Sequence, residues 1–508
     1  MSSTSIATVT PSLDGHVVGR SSADTLFPLP LTPLEQLLRW DESPGCPLTS
    51  FIELRFDGQL DRDVLQSALD HTSAHHPLVA SRIERVGGRD CWVREDHLRP
   101  VFLDPQAENV AQQKLSLDGV RTRDVARTID LSRESGCRFW LHHDRVNDTS
   151  RIVIQVHHAC SDGVGMRQFI VGMMKEYANE VRSRVADTTD GADDRVTNRQ
   201  NRSLDRLQPK RLLDRNRYLD RSGKPLVSDI RAWQKLKNAH YFFLQRPVLL
   251  ADDVPLMRSD SDSSPSGPHD SPVRHAAFSV DESAAILDRL RRNAIGLNDL
   301  AISLLLQTCS RWNQAGGKAH AGDRLRLLFP IDLRSRNDLR MPACNRLSFG
   351  FIGRTIAQCH DLEALIAGVH SETERMKKTR LHMDLLNGMN SASHHPRFMR
   401  WATRRFRNMS TVVLTYAGDV MRGLSRVFPD TVDHNGQPGR QVGDCVLTDV
   451  FITPPPRDGN RASLGICFNG GRMSFSLAYD PRHWDRDRAD AFLGRYHGVW
   501  QDWLGAAR

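Results

Sequence analysis

A chain of 508 residues exceeds the roughly 250–300 that one hydrophobic core sustains, so two domains or two halves sharing an interface are expected. With 39% hydrophobic and 26% charged residues it is neither disordered nor fibrous, and no window reaches the ~18 uncharged apolar residues of a membrane span. The net charge of +8 is local: ten bases against three acids between Arg195 and Lys224 account for +7 of it. That stretch reads as a solvated linker or helix face, with an electrostatic dock for a phosphate-bearing ligand or an acidic partner as the functional alternative. Nucleic acid is set aside, because only Tyr218 is interleaved with the bases. Nine cysteines without a CxxC pair argue against a zinc site or a disulfide framework and fit a reducing cytoplasm. The first residues lack the basic start and apolar run of a signal peptide and read as a flexible lead-in, 1–27.

Thr32 is placed to cap a helix with Pro33 at its first position and Leu34, Leu37 and Leu38 at helical spacing. Residues 51–56 alternate as a strand, Gly58 supplies a turn, and Leu60, Val64, Leu65, Ala68 and Leu69 predict an amphipathic helix opening at Asp61 and ending before Pro77. Residues 138–143 and 151–156 are two strands around a turn-rich joint. His157-His158 follows the second of them, and beyond Gly165 an apolar helix runs to about residue 177. From 186 to 275 a polar, basic crossover is expected, with a helix near 229–244 and a disordered low-complexity loop at 259–272. Beyond it the pattern restarts: strand 276–280, helices 281–292 and 298–312, strands 324–330, 411–416, 463–468 and 472–479, and a closing helix from Asp485. Alternating strands and helices in both halves predict an α/β chain of α+β layers.

The segment that carries chemistry is His157-His158-Ala159-Cys160-Ser161-Asp162-Gly163. A strand delivers two histidines to its end, a glycine permits a tight reversal, and a helix begins just beyond. Histidine, with its ordinary pKa near 6.5, suits proton removal at neutrality. Neighbouring residues at a strand end face opposite ways, so one ring enters a cavity and the other is structural. His142-His143 and His394-His395 lack the downstream Asp-Gly. Adjacent histidines diverge too far to share a metal with Asp162. Cys160 reads as a small buried residue and Asp299 as a helix-capping acid.

HHxxxDG on a strand, loop and helix resembles the signature of the CoA-dependent acyltransferase superfamily, which includes chloramphenicol acetyltransferases, condensation domains and wax-ester synthases. Leu31-Thr32-Pro33-Leu34-Glu35 resembles the opening of these proteins. Gly58-Gln59-Leu60-Asp61 with Leu65, Ala68-Leu69 and His76-Pro77-Leu78 resembles a second run, Leu297-Asn298-Asp299-Leu300 a third, and Phe329-Pro330-Ile331-Asp332-Leu333-Arg334 with Asn345 a fourth. The likeness covers roughly 28–185 and 276–508. It implies two chloramphenicol-acetyltransferase-like halves, 28–185 and 276–508, forming a V-shaped pseudo-dimer with the active site at their interface. It also implies an acyltransferase of lipid or secondary metabolism that moves an acyl group from acyl-CoA or an acyl carrier protein to a hydroxyl or amine. His158 would be the general base, with His157 and Asp162 beside it. Asp162 would be a structural ion-pair partner of Arg334, or less well of Arg82. Gly163 and Asn345 would shape the substrate channel, and Asn345 could serve the oxyanion.

No metal or permanently bound cofactor is implied, the thioester being a co-substrate. The partners are that thioester, a small acceptor and in some cases a carrier protein, and the chain is expected to be monomeric. Two positions depart from the pattern: Ala80 stands where an arginine is expected, and Cys344 stands for the glycine before Asn345. The absent DFGWG box argues against the plant branch. A free-standing condensation enzyme and a catalytically silent binding module are the alternatives, and Ala80 leaves room for the second.

Overall fold

The computed structural model describes residues 26–43, 46–103, 128–188, 204, 206–220, 222–236, 238, 246–255, 272–317, 319–405, 407–421 and 424–506. The expected lead-in before residue 26, the loop at 259–271 and most of the basic stretch before residue 204 lie outside the described residues. Of the helix expected near 229–244, residues 232–236 and 238 are described and helical.

The first half begins with β1 (Leu29–Pro30) and α1 (Pro33–Trp40). Thr32 caps α1 through a capping box in which its hydroxyl accepts the Glu35 amide and the Glu35 carboxylate accepts the Thr32 amide, so two orphan donors are satisfied at once. Next come β2 (Thr49–Asp57), α2 (Arg62–His75) capped by Asp61, the hairpin β3 (Ser81–Val86) and β4 (Arg89–Arg94), and the short β5 (Phe102–Leu103). The antiparallel pair β6 (Cys137–Asp144) and β7 (Thr149–His157) then leads into α3 (Gly163–Thr188). Nearly every residue of β7 is buried, as befits a central strand covered on both faces.

The second half contains β8 (Val273–Ala277), α4 (Val280–Arg292), α5 (Leu297–Ala315), β9 (Arg324–Asp332) and β10 (Leu347–Thr355). Three helices follow, α6 (Leu362–Thr379), α7 (His382–Ser393) and α8 (Pro396–Arg405). After β11 (Val412–Asp419), the strands β12 (Asp430–Val432), β13 (Pro438–Val442) and β14 (Cys445–Thr453) precede β15 (Ala462–Asn469), β16 (Arg472–Tyr479) and α9 (Arg486–Gly505).

The strands make two large sheets and a small one. One large sheet has the order β10-β9-β11-β15-β16-β8 and belongs wholly to the second half. The other has the order β12-β13-β14-β2-β7-β6-β5, so three strands of the second half complete the sheet of the first, with β14 antiparallel to β2 from Val446 opposite Asp57 to Thr453 opposite Phe51. Each sheet has its own large apolar core: Leu54, Ile154, Phe169 and Met173 lie in one, and Leu305, Trp312, Phe475 and Trp500 in the other. The molecule is therefore α/β with two lobes, and the second half of the chain reaches across to close the first lobe's sheet.

Candidate active site

His157 and His158 stand where β7 leaves the first lobe's sheet. The chain is pinned on both sides there, the His157 amide donating to the Gly136 carbonyl (2.8 Å) and the His158 amide to the Leu48 carbonyl (2.9 Å). The His157 ring is fully buried. Its Nδ1 accepts the Ala159 amide at 3.1 Å, which puts the proton on Nε2, and Nε2 faces Glu42 Oε2 at 3.4 Å. Both nitrogens are thus engaged, and the ring braces the loop.

The His158 ring instead lines a cavity of about 1020 Å³ between the lobes. Leu38 and Leu48 of the first half meet Leu328, Phe349, Met389 and Val413 of the second on its walls. His158 Nδ1 is buried with no hydrogen-bond partner, so Nε2 is the nitrogen left to face the cavity. Burial holds the ring's pKa below the ordinary 6.5, opposed by its own carbonyl, by Asp162 and by the Asn345 carboxamide. A neutral imidazole is favoured at neutral pH, which is the form a base requires.

Asp162 touches neither histidine ring through a hydrogen bond. Its Oδ1 accepts from Arg334 Nη2 and the Gly165 amide (both 2.8 Å), and its Oδ2 accepts from Arg334 Nη1 (2.9 Å) and the Arg346 amide (2.7 Å). Arg334 also donates to the Cys344 carbonyl at 2.8 Å. The bidentate pair therefore locks the loop after His158 to the segment after β9. Arg82 lies elsewhere, bound to Glu84 and Glu95 on the β3–β4 hairpin. Asn345 completes the joint: its Nδ2 donates at 2.8 Å to both the His158 and Ala159 carbonyls, which makes it a clamp on the histidine loop. It is absent from the cavity wall.

The expected channel glycine, Gly163, opens α3 at an exposed position, and a Cβ there would meet nothing within 4 Å. The tighter requirement falls on Gly165, where a Cβ would sit 2.3 Å from Ser161 Oγ and 2.9 Å from the Cys344 carbonyl. The Cys160 thiol donates to the Leu78 carbonyl, and its contact with Cys137 together with burial pushes its pKa well up, so it stays protonated. Asp299 is buried at the start of α5 and ties it to α6 through His370 Nδ1 (2.8 Å) and Thr373 Oγ1 (2.9 Å). Among the described residues no group of three or more His, Cys, Asp or Glu could hold a metal ion.

The basic crossover proves partly structural. Arg215 is buried and grips the buried Glu35 of α1 with two bonds, Nε to Oε1 at 2.7 Å and Nη2 to Oε2 at 2.8 Å, while Trp92 Nε1 donates to the same carboxylate. Arg346 lies over the Tyr218 ring and donates to the carbonyls of Asp214, Arg215 and Arg217. Since the Arg346 amide binds Asp162, the crossover is fastened directly to the histidine loop's support. No local pattern in the sequence marks Arg215, Arg346 or Glu42, because each acts across more than a hundred residues.

No protein-family model matches the chain. An uncharacterized protein recorded from two strains of Mycobacterium tuberculosis is 24% identical over 379 residues, which is 71% of this chain and 75% of that protein. Among solved structures, the trichothecene 15-O-acetyltransferase of Fusarium sporotrichioides superposes with a TM-score of 0.62 at 11% identity, covering 92% of this chain and 93% of that one. The starter condensation domain of rhizomide synthetase, solved as a double mutant in complex with C8-CoA and Leu-SNAC, gives 0.54 at 12% identity over 94% of each chain. Over more than nine-tenths of its length the chain shares the fold of that acetyltransferase and that condensation domain.

Proposed function

We propose that this protein transfers an acyl group from a thioester, acyl-CoA or an acyl carrier protein, to a hydroxyl or amine, with His158 as general base. The observation that carries the reading is the half-buried His158 ring, its uncharged form favoured by burial, set in the wall of a large, mostly apolar cavity between the lobes. Nε2 takes the proton of the acceptor as its oxygen or nitrogen attacks the thioester carbonyl. The tetrahedral oxyanion then collapses, the C–S bond breaks, and the thiolate leaves with the proton returned from the imidazolium. The cavity walls suit an acyl chain, and the chemistry uses only groups of the chain and the two substrates.

His157, Asp162, Arg334 and Asn345 hold the base and do not react. A direct test supplies acetyl-, octanoyl- and palmitoyl-CoA with alcohols and amines and follows free thiol. Acceptor-dependent thiol release is expected, and no release from any donor with any acceptor, carrier-bound thioesters included, contradicts the reading.

A further inference from the structure

The cavity is bordered by a lip that is both basic and aromatic. α8, with the sequence PRFMRWATRR, carries four arginines and no acid. It turns Met399 and Thr403 inward and leaves Phe398 and Trp401 on the cavity wall yet 54% and 55% exposed, their rings 5.8 Å apart. The helical segment 232–236 places Lys235 on the same cavity's wall, latched to Asp384 of α7 at 2.9 Å. Its Trp233 and Leu236 are 59% and 74% exposed. Among the described residues, the exposed tryptophans and phenylalanines are these three, Trp233, Phe398 and Trp401, all on the two helical segments that border this cavity.

We infer that this lip is a docking surface for an anionic lipid bilayer, through which an apolar substrate passes between membrane and cavity. Aromatic rings at the headgroup level and arginines on lipid phosphates are the combination by which a short amphipathic helix rests in an interface. Arg397, Arg400, Arg404 and Arg405 supply the charge complementarity, and Phe398 and Trp401 the apolar contact. An acidic carrier protein would satisfy the arginines alone. It gives no reason for half-exposed aromatic rings at the mouth of an apolar cavity, whereas a bilayer covers them and lets an acyl chain enter without crossing water. Among the described residues no helix is long and apolar enough to cross a membrane, so the contact is at the surface.

The test is vesicle flotation of the full chain, which needs no turnover and so stands apart from the proposed chemistry. Vesicles of phosphatidylcholine with 30% phosphatidylglycerol, by choice of probe, should carry the protein up, and vesicles of phosphatidylcholine alone should carry far less. Each arginine near an anionic surface multiplies binding by about fivefold, so Arg397→Gln with Arg404→Gln should weaken it roughly twenty-five-fold. Phe398→Ser with Trp401→Ser should weaken it on both vesicle types, with melting temperatures unchanged because all four positions are exposed. Failure to float with the anionic vesicles, or equal flotation of the wild type and both double variants, overturns the inference. So does capture by an acidic carrier protein under conditions where anionic vesicles bind nothing.

Discussion

A base must be neutral before it can take a proton, and burial already favours that form of His158. The acid limb of kcat/KM should therefore have its inflection below pH 6.5, with the rate flat above it; an inflection at or above pH 7 contradicts this. His76 is buried too, its Nδ1 accepting the Ala343 amide, and burial lowers its pKa to about 3. Between pH 6.5 and about 3 the unfolded chain takes up a proton that the native ring refuses, so stability falls as pH drops through that window. Urea unfolding from pH 7 to pH 4 should show the decline, with a smaller slope in His76→Gln; equal slopes would count against it. At Asp162 the expectation is structural. Asp162→Asn leaves the nearly buried Arg334 with only the more exposed Asp332 carboxylate, 3.0 Å from its Nη1, and should lower the melting temperature along with the activity. Lost activity at an unchanged melting temperature would assign the carboxylate a direct part in the chemistry instead.

At the scale of elements, the Glu35–Arg215 pair joins α1 to the crossover with both side chains buried. Arg215→Met should destabilise by about 3–5 kcal/mol, and adding Glu35→Gln should restore part of that, because the cost lies in the uncompensated carboxylate. A double variant no more stable than the single one would contradict this. These elements also show what the sequence made legible. The α1 cap, β6, β7 and the histidine loop were readable because each depends on neighbours within a few residues: Thr32 with Glu35, alternation along β7, Asp162 four positions after His158. Long-range features were not. β14 joins β2 across nearly four hundred residues, and nothing in its own pattern names that partner. β10 was hidden by Gly350, which is there because a Cβ would meet the Phe329 ring at 2.4 Å. The helices α6 to α8, which form the cavity's outer wall, were not read at all. The arginine stretch was readable as charge, but its division between a buried tie and a solvated face was not.

At the scale of the whole molecule, the two lobes hold the His158 ring between them. The first supplies the histidine loop, the second supplies Arg334, Asn345 and most of the cavity wall, and β14 stitches the sheets so that neither half closes without the other. The proposed chemistry depends on one ring, and its decisive measurement is kcat/KM for acceptor-dependent thiol release by wild type, His158→Ala and His142→Ala, with melting temperatures alongside. His142 belongs to an HH pair on β6 that is absent from the cavity wall. His158→Ala should lose about 10²–10⁴-fold while staying folded, and His142→Ala should keep nearly full activity. Undiminished turnover in His158→Ala would contradict the account.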